Sequence, residues 1–220
     1  MTPIVYLVDD DDAVRHALQQ LLEVERFAVR SFSGGEAFLA GCVPDAAGCL
    51  VLDVRMPGMS GPALHAALRE RGYTLPVIYL TGHGDVPTSV RAMLDGAFDF
   101  LEKPPADGVL VARVRAALER DAEQRRETAR VREICKRHAL LTPRERDVFE
   151  NVVAGRSNKE TARVLGISHR TVDVYRQRIM AKMQATNPIE LAELAHLVPE
   201  ERRVPAPSEH QQLRVGPYRR

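Results

Sequence analysis

Five times within the first 118 residues, a short apolar run of strand length is followed by residues at helical spacing. The runs are Ile4–Val8, Phe27–Phe32, Gly48–Asp53, Leu75–Leu80 and Ala97–Leu101. Helices are expected over Ala13–Val24, from the Ser33-Gly34-Gly35-Glu36 capping box to Ala40, over Gly61–Arg71, over Thr88–Asp95, and again from Val109 onward. Strands that alternate with helices in this way predict an α/β doubly wound parallel sheet of five strands, with helices on both faces.

In such a sheet all strands point one way, so the loops after their carboxyl ends share one edge, where open α/β sheets place their chemistry. The first strand ends on Asp9-Asp10-Asp11-Asp12 and the third on Asp53, which a loop of Pro and Gly follows. The fourth ends at Thr81-Gly82-His83-Gly84-Asp85 and the fifth at Glu102-Lys103-Pro104. That edge is expected to gather Asp9, Asp10, Asp53, Thr81 and Lys103. Three carboxylates in one crevice repel, and a hard divalent cation with oxygen ligands, Mg²⁺, relieves the repulsion. A hydroxyl and an ammonium beside them suit the oxygens of a transferring phosphoryl group, so the cluster reads as a phosphoryl-transfer site with a carboxylate nucleophile. Taken singly, each residue has a plainer reading: the acidic run can cap a helix, and Thr-Gly or Lys-Pro can mark a turn. Their joint spacing carries the assignment. His83 reads as a loop residue, because no other His or Cys lies nearby at ligand spacing.

A net charge of +1 conceals a split: residues 1–118 carry 10 Lys and Arg against 15 Asp and Glu, while the rest of the chain carries an excess of six positive charges. Nucleic acid is thus a candidate partner for the second half only. Cys42, Cys49 and Cys135 are odd in number, lack CxxC spacing and lie in or near apolar stretches, which fits buried free thiols in a reducing compartment. No stretch has the apolar length of a membrane span and no signal-peptide pattern is present, so a cytoplasmic protein without membrane contact is expected.

No Gly or Pro interrupts Val109–Leu141, and Glu119–Arg137 contains twelve charged residues. That composition cannot bury a core. It suits either a solvent-exposed helix continuing the last helix of the sheet domain, held by pairs such as Glu119 and Glu123 with Arg126 and Arg130, or a loosely helical tether. Beyond it, Thr142-Pro143-Arg144-Glu145 forms a capping box with Pro at the first helical position. A second helix is expected over Ser157–Leu165, a turn at Gly166-Ile167-Ser168, a third helix over His169–Met183 and a fourth from Asn187-Pro188 to Leu197, an all-α four-helix domain containing a helix-turn-helix. On the third helix, Val172, Arg176, Ile179 and Met183 fall within about 60° of one another, and Val172, Ile179 and Met183 mark the core face. The opposite side presents Arg170, Val174, Gln177 and Arg178 to base edges and phosphates, with Asp173 on its flank. Lys159, Thr171, Arg176 and Lys182 are placed to hold backbone phosphates. From Pro199 onward Pro and Gly break every pattern, and a disordered tail is expected.

Residues 1–118 resemble the receiver domain of two-component response regulators, which is flavodoxin-like. The match lies in Val8-Asp9-Asp10, Asp53 with Met56-Pro57 and Ser60-Gly61, Thr81-Gly82, and Lys103-Pro104. The strings Thr81-Gly82-His83-Gly84-Asp85-Val86-Pro87 and Phe98-Asp99-Phe100-Leu101-Glu102-Lys103-Pro104 are similar to the FixJ group. The resemblance implies that Asp53 accepts a phosphoryl group from a sensor histidine kinase. It implies that Asp10, Asp53 and the main-chain carbonyl of Arg55 ligate Mg²⁺, with Asp9 acting through water, and that Thr81 and Lys103 bind the phosphoryl oxygens. Phe100 would move inward with Thr81, the Lys103-Pro104 peptide would be cis, and Arg55 would tune the lifetime of the phosphoryl group. Gly58 departs from a loop position that is often acidic. Residues 140–198 resemble the LuxR/NarL output domain, through Leu141-Thr142-Pro143-Arg144-Glu145-Arg146, Gly155, Ser157-Asn158-Lys159-Glu160, Arg170-Thr171-Val172, Val174 and Ile179-Met180-Ala181-Lys182-Met183. This implies double-stranded DNA as a partner, a homodimer when phosphorylated, and RNA polymerase as a further partner. Tyr175 and Asp173 depart from the pattern, so no base preference carries over. The expected organisation is a receiver domain at 1–118, a helical linker at 119–139, an output domain at 140–198 and a tail at 199–220. No enzyme activity is expected beyond self-phosphorylation and self-dephosphorylation of Asp53. The rivals are a phosphoryl-relay protein or phosphatase, which lacks a second acid/base motif here, and a constitutive DNA-binding protein with a scaffolding receiver.

Overall fold

The computed structural model describes residues 2–41, 47–82, 93–106 and 108–203. The chain divides into two compact units, Met1–Arg126 and Glu127–Arg220.

The first unit contains β1 (Ile4–Val8), α1 (Asp12–Val24), β2 (Ala28–Phe32), α2 (Gly35–Gly41), β3 (Gly48–Asp53), α3 (Gly61–Glu70), β4 (Val77–Thr81) and β5 (Asp99–Glu102), and the first part of α4 (Val109–Ala139). The five strands are all parallel in the order β2-β1-β3-β4-β5. Strand alternation divides the core in two. Tyr6, Val8, Leu50, Leu52, Val77 and Tyr79 face one way and pack with Phe38 of α2 and Leu64 and Leu68 of α3. Val5, Leu7, Cys49, Val51, Ile78 and Leu80 face the other way and pack with Leu18 and Leu22 of α1 and Leu110, Val114 and Ala117 of α4. The doubly wound sheet is the expected one. Burial raises the Cys49 thiol to about 12, with the Asp121 carboxylate adding to the effect, so this cysteine is an inert core residue. The strand expected at Ala97–Leu101 begins two residues later, at Asp99. Cys42, His83 and most of the Thr88–Asp95 helix lie outside the described residues.

Helix α4 runs unbroken from Val109 to Ala139, the helical alternative for the charged stretch. The pairs along it differ from those expected: they join Arg120 to Glu123, Asp121 to Arg125, Glu127 to Arg130 and Glu133 to Arg137. Asp121 is buried, and its Oδ2 also accepts from the Gly48 amide at 2.9 Å.

The second unit takes the end of α4 and adds α5 (Pro143–Val153), α6 (Asn158–Leu165), α7 (His169–Met183), α8 (Pro188–His196) and α9 (Glu200–Arg203). Thr142 with Glu145, and Ser157 with Glu160, close capping boxes at α5 and α6. Gly166 takes the left-handed conformation (φ 65°) that lets α6 end and α7 begin after a short turn. Val172, Ile179 and Met183 are fully buried, as their spacing required, against Val148, Phe149, Leu191 and Ala195. Within the stretch expected to be disordered, Glu200–Arg203 forms one helical turn, and the Arg203 guanidinium pairs with Glu150 at 3.0 Å. Residues 204–220 lie outside the described residues.

Candidate functional site

The carboxyl edge of the sheet brings together the side chains that the sequence placed there. Asp9 follows β1 and is fully buried, its amide held by the Phe32 carbonyl at 3.2 Å and its own carbonyl by Arg15 Nη1 at 2.8 Å. Asp53 closes β3 and Thr81 closes β4, both buried. Lys103 leaves β5 before a cis Lys103–Pro104 peptide, as expected, and its amide donates to the Thr81 carbonyl at 2.7 Å. Its ammonium lies between two carboxylates, 2.6 Å from Asp9 Oδ2 and 2.8 Å from Asp53 Oδ1. Asp10 is exposed and completes a triad of carboxylates whose oxygens lie within 4.8 Å of one another. The acidic run does both things its sequence allowed: Asp9 and Asp10 join the cluster, and Asp11 caps α1 by accepting from the amides of Ala13 and Val14.

Gly61 fixes the loop after Asp53. Its amide donates to Val54, and a Cβ there would stand 2.3 Å from the Asp53 carbonyl oxygen, so only glycine fits. Burial raises the Asp53 carboxyl above its ordinary value, and Lys103 offsets this only in part. For Lys103 burial acts downward, but hydrogen bonds to Asp53 and Asp9 outweigh it and hold the ammonium above the ordinary lysine value. Three carboxylates facing one permanent ammonium leave an excess of negative charge in an all-oxygen donor set, which fits a hard divalent cation. Arg55 is exposed, and Phe100 is half-buried with its ring 6.3 Å from that of Tyr79.

In the second unit α7 exposes Arg170, Val174, Gln177 and Arg178, and Lys159 is exposed at the start of α6. Arg176 and Gln177 line a cleft with Asp173, Met180, Thr186 and Pro188.

Two domain descriptions match the chain: "Response regulator receiver domain" over residues 5–115 and "Bacterial regulatory proteins, luxR family" over residues 139–195. Transcriptional regulatory protein FixJ of Azorhizobium caulinodans is 51% identical over 193 residues, spanning 88% of this chain and 92% of FixJ. The chain is a response regulator of the luxR family. Response regulator protein TodT of Pseudomonas putida F1 is 41% identical over 184 residues, 84% of this chain and 81% of TodT. Among solved structures, response regulator StyR superposes with a TM-score of 0.80 at 38% identity, covering 89% of this chain and 99% of StyR. Full-length FixJ from B. japonicum gives 0.54 at 42% identity, covering 90% and 98%.

Within this response regulator Asp9, Asp10, Asp53 and Lys103 lie together at the sheet edge, whereas three side chains assigned to DNA are engaged inside the output domain. The Lys182 ammonium contacts Glu145 Oε2 at 2.6 Å and the Leu140 carbonyl at 3.0 Å, tying α7 to the start of α5. Asp173 accepts from Asn158 of α6 and lies 3.2 Å from His169 Nδ1. The Thr171 hydroxyl shares a 2.7 Å hydrogen bond with the Ser168 hydroxyl. Nothing in local spacing marks Asn158 as the partner of Asp173, or Arg15 as the partner of the Asp9 carbonyl. No helix among the described residues is long and apolar enough to cross a membrane.

Proposed function

We propose that this response regulator is switched by phosphorylation of Asp53, and that the phosphorylated chain pairs and binds DNA at two half-sites to regulate transcription. The observation that carries the reading is the Lys103 ammonium between Asp9 and Asp53, 2.6 and 2.8 Å away, at the carboxyl edge of the sheet.

One Asp53 carboxylate oxygen attacks the phosphorus of a kinase phosphohistidine. An oxygen–phosphorus bond forms as the nitrogen–phosphorus bond breaks, and the bonding pair leaves with the imidazole. Lys103 holds Asp53 in place and meets the charge that gathers on the phosphoryl oxygens, while the Thr81 hydroxyl meets a further one. Asp9, Asp10 and Asp53, with the Arg55 carbonyl, are the groups that would hold Mg²⁺, and the ion would supply electrostatic stabilisation of the same oxygens. The chain performs no chemistry beyond gaining and losing this phosphoryl group. Thr81 turning toward the phosphoryl group frees space for Phe100, which alters the face where two receivers pair. Exposed Arg170, Val174, Gln177, Arg178 and Lys159 are the DNA-contacting side chains, with RNA polymerase recruited to the same promoter.

The test combines light scattering with DNA affinity at fixed salt, before and after acetyl phosphate and Mg²⁺. The expected result is a shift from monomer to dimer with tighter binding, absent in Asp53→Ala. Unchanged mass and affinity in protein shown to be phosphorylated would leave a constitutive DNA-binding protein.

A further inference from the structure

The sheet face that carries Thr81 also carries a row of rings. Tyr79 lies two residues before Thr81 on β4, so strand periodicity points both side chains to the same face. Phe100 stands opposite Tyr79 in the register of β4 with β5, the ring centroids 6.3 Å apart and the planes inclined at 49°. From the other side α3 supplies His65, whose Nδ1 shares a 3.1 Å hydrogen bond with the Tyr79 hydroxyl, both side chains being buried. Tyr79 also borders the phosphoacceptor loop, because a Cβ on Gly61 would lie 3.2 Å from its Cε1.

We propose that His65 and Tyr79 are positioning residues for the switch: their hydrogen bond draws the Tyr79 ring toward α3 and keeps clear the space beside Thr81 that Phe100 enters on activation. This inference rests on the reading of Asp53, Thr81 and Phe100 given above. The direction of the pull follows from the layout. Helix α3 packs through Leu64 and Leu68 with residues of β3 and β4, whereas Phe100 comes from β5, on the far side of β4. Burial, with Arg69 adding to it, holds the His65 imidazole below its ordinary value, and burial holds the Tyr79 phenol above the usual range, so the pair is neutral at pH 7. A buried hydroxyl that loses its partner is costly and seeks another. Phe100 on the β5 side of Tyr79 is half-buried, whereas Leu64 and Leu68 of α3 are buried. Without His65, the ring therefore turns into the volume that Phe100 requires, and the inward state becomes less populated.

The chain contains no tryptophan, so Phe100→Trp in the full chain places its single tryptophan at the moving position. Emission and the phosphorylated fraction of Asp53, from intact mass, are recorded after adding Mg²⁺ and acetyl phosphate. The Phe100→Trp protein should show an emission change that tracks phosphorylation. Adding His65→Leu should cut the change per phosphorylated Asp53 by about threefold or more. Adding Tyr79→Phe to that variant removes the orphaned hydroxyl and should restore most of the change. His65→Ala orphans the same hydroxyl without a branched side chain and repeats the test if His65→Leu does not fold. An undiminished change in the His65 variants, or no recovery in a folded variant that also carries Tyr79→Phe, overturns the inference and leaves the switch standing. A Phe100→Trp protein that is phosphorylated without any emission change overturns the switch reading and this inference together.

Discussion

A lysine can serve DNA or its own fold, and Lys182 shows which one tertiary context selects. Its carboxylate partner, Glu145, is 37 residues away, beyond anything helical periodicity can register, so the sequence placed Lys182 at a phosphate. In the structure Glu145 is nearly inaccessible while Lys182 remains about one-third exposed. Burial alone would raise the Glu145 carboxyl, but hydrogen bonds from Lys182 and Thr142 hold it below the ordinary glutamate value. A carboxyl depressed on folding adds stability above its unfolded value of about 4.3, and that stability is lost as pH falls through the lower folded value. Glu145→Gln is therefore expected to destabilise the output domain at pH 7 by roughly 1–2 kcal/mol, allowing for the partial exposure of Lys182. The difference from the parent should narrow once the pH drops below about 4.3. Urea denaturation of the full chain, read by hydrogen exchange in peptides from residues 141–198, measures both quantities. A gap that stayed constant down to pH 3 would mean the ion pair contributes nothing. The receiver residues were legible for the opposite reason: Asp9, Asp53, Thr81 and Lys103 each end or follow a strand, and parallel topology collects strand ends without help from long-range pairing.

At the scale of elements, the readable features are those closed within one turn. Thr142 with Glu145 announces α5, and the structure forms that box together with a second one, of Ser157 and Glu160, at α6. His65 against Tyr79 bridges α3 and β4, and a histidine within an amphipathic helix carries no sign of such a contact in its spacing. The start of α3 is set by a steric limit that sequence only hints at through Ser60-Gly61. Because a Cβ at Gly61 would meet the Asp53 carbonyl oxygen, Gly61→Ala should shift the loop and slow acetyl phosphate labelling of Asp53 by about tenfold, as expected for a misplaced nucleophile. Labelling well below the melting temperature separates this from a general loss of fold. On α7 two exposed neighbours should behave differently. Arg178→Ala is expected to weaken all DNA sequences alike and to lower the salt slope by about 1, as for a phosphate contact. Gln177→Ala should cost about 1–3 kcal/mol on the preferred site and little on others, as for a base contact. Binding isotherms on matched and scrambled duplexes at several salt concentrations distinguish the two.

The whole molecule couples two units that each have their own core, and α4 contributes to both: Leu110, Val114 and Ala117 to the first, Ile134 to the second. What phosphorylation can add to DNA affinity is limited by that division. On the proposed reading none of the candidate base or phosphate contacts lies in the receiver, so a phosphoryl group on Asp53 would add no DNA contact of its own. On the proposed reading, pairing of receivers would act by raising the effective concentration of the second output domain once the first is bound. Two domains on one duplex neutralise about twice as many phosphates as one, and log affinity falls with log salt in proportion to that number. The slope of affinity against salt should therefore about double on phosphorylation when the duplex carries two half-sites, and remain that of one domain when it carries a single half-site. A tighter complex with an unchanged slope on the paired site would mean that phosphorylation improves one output domain rather than adding a second, and the dimer would then lose its role in binding.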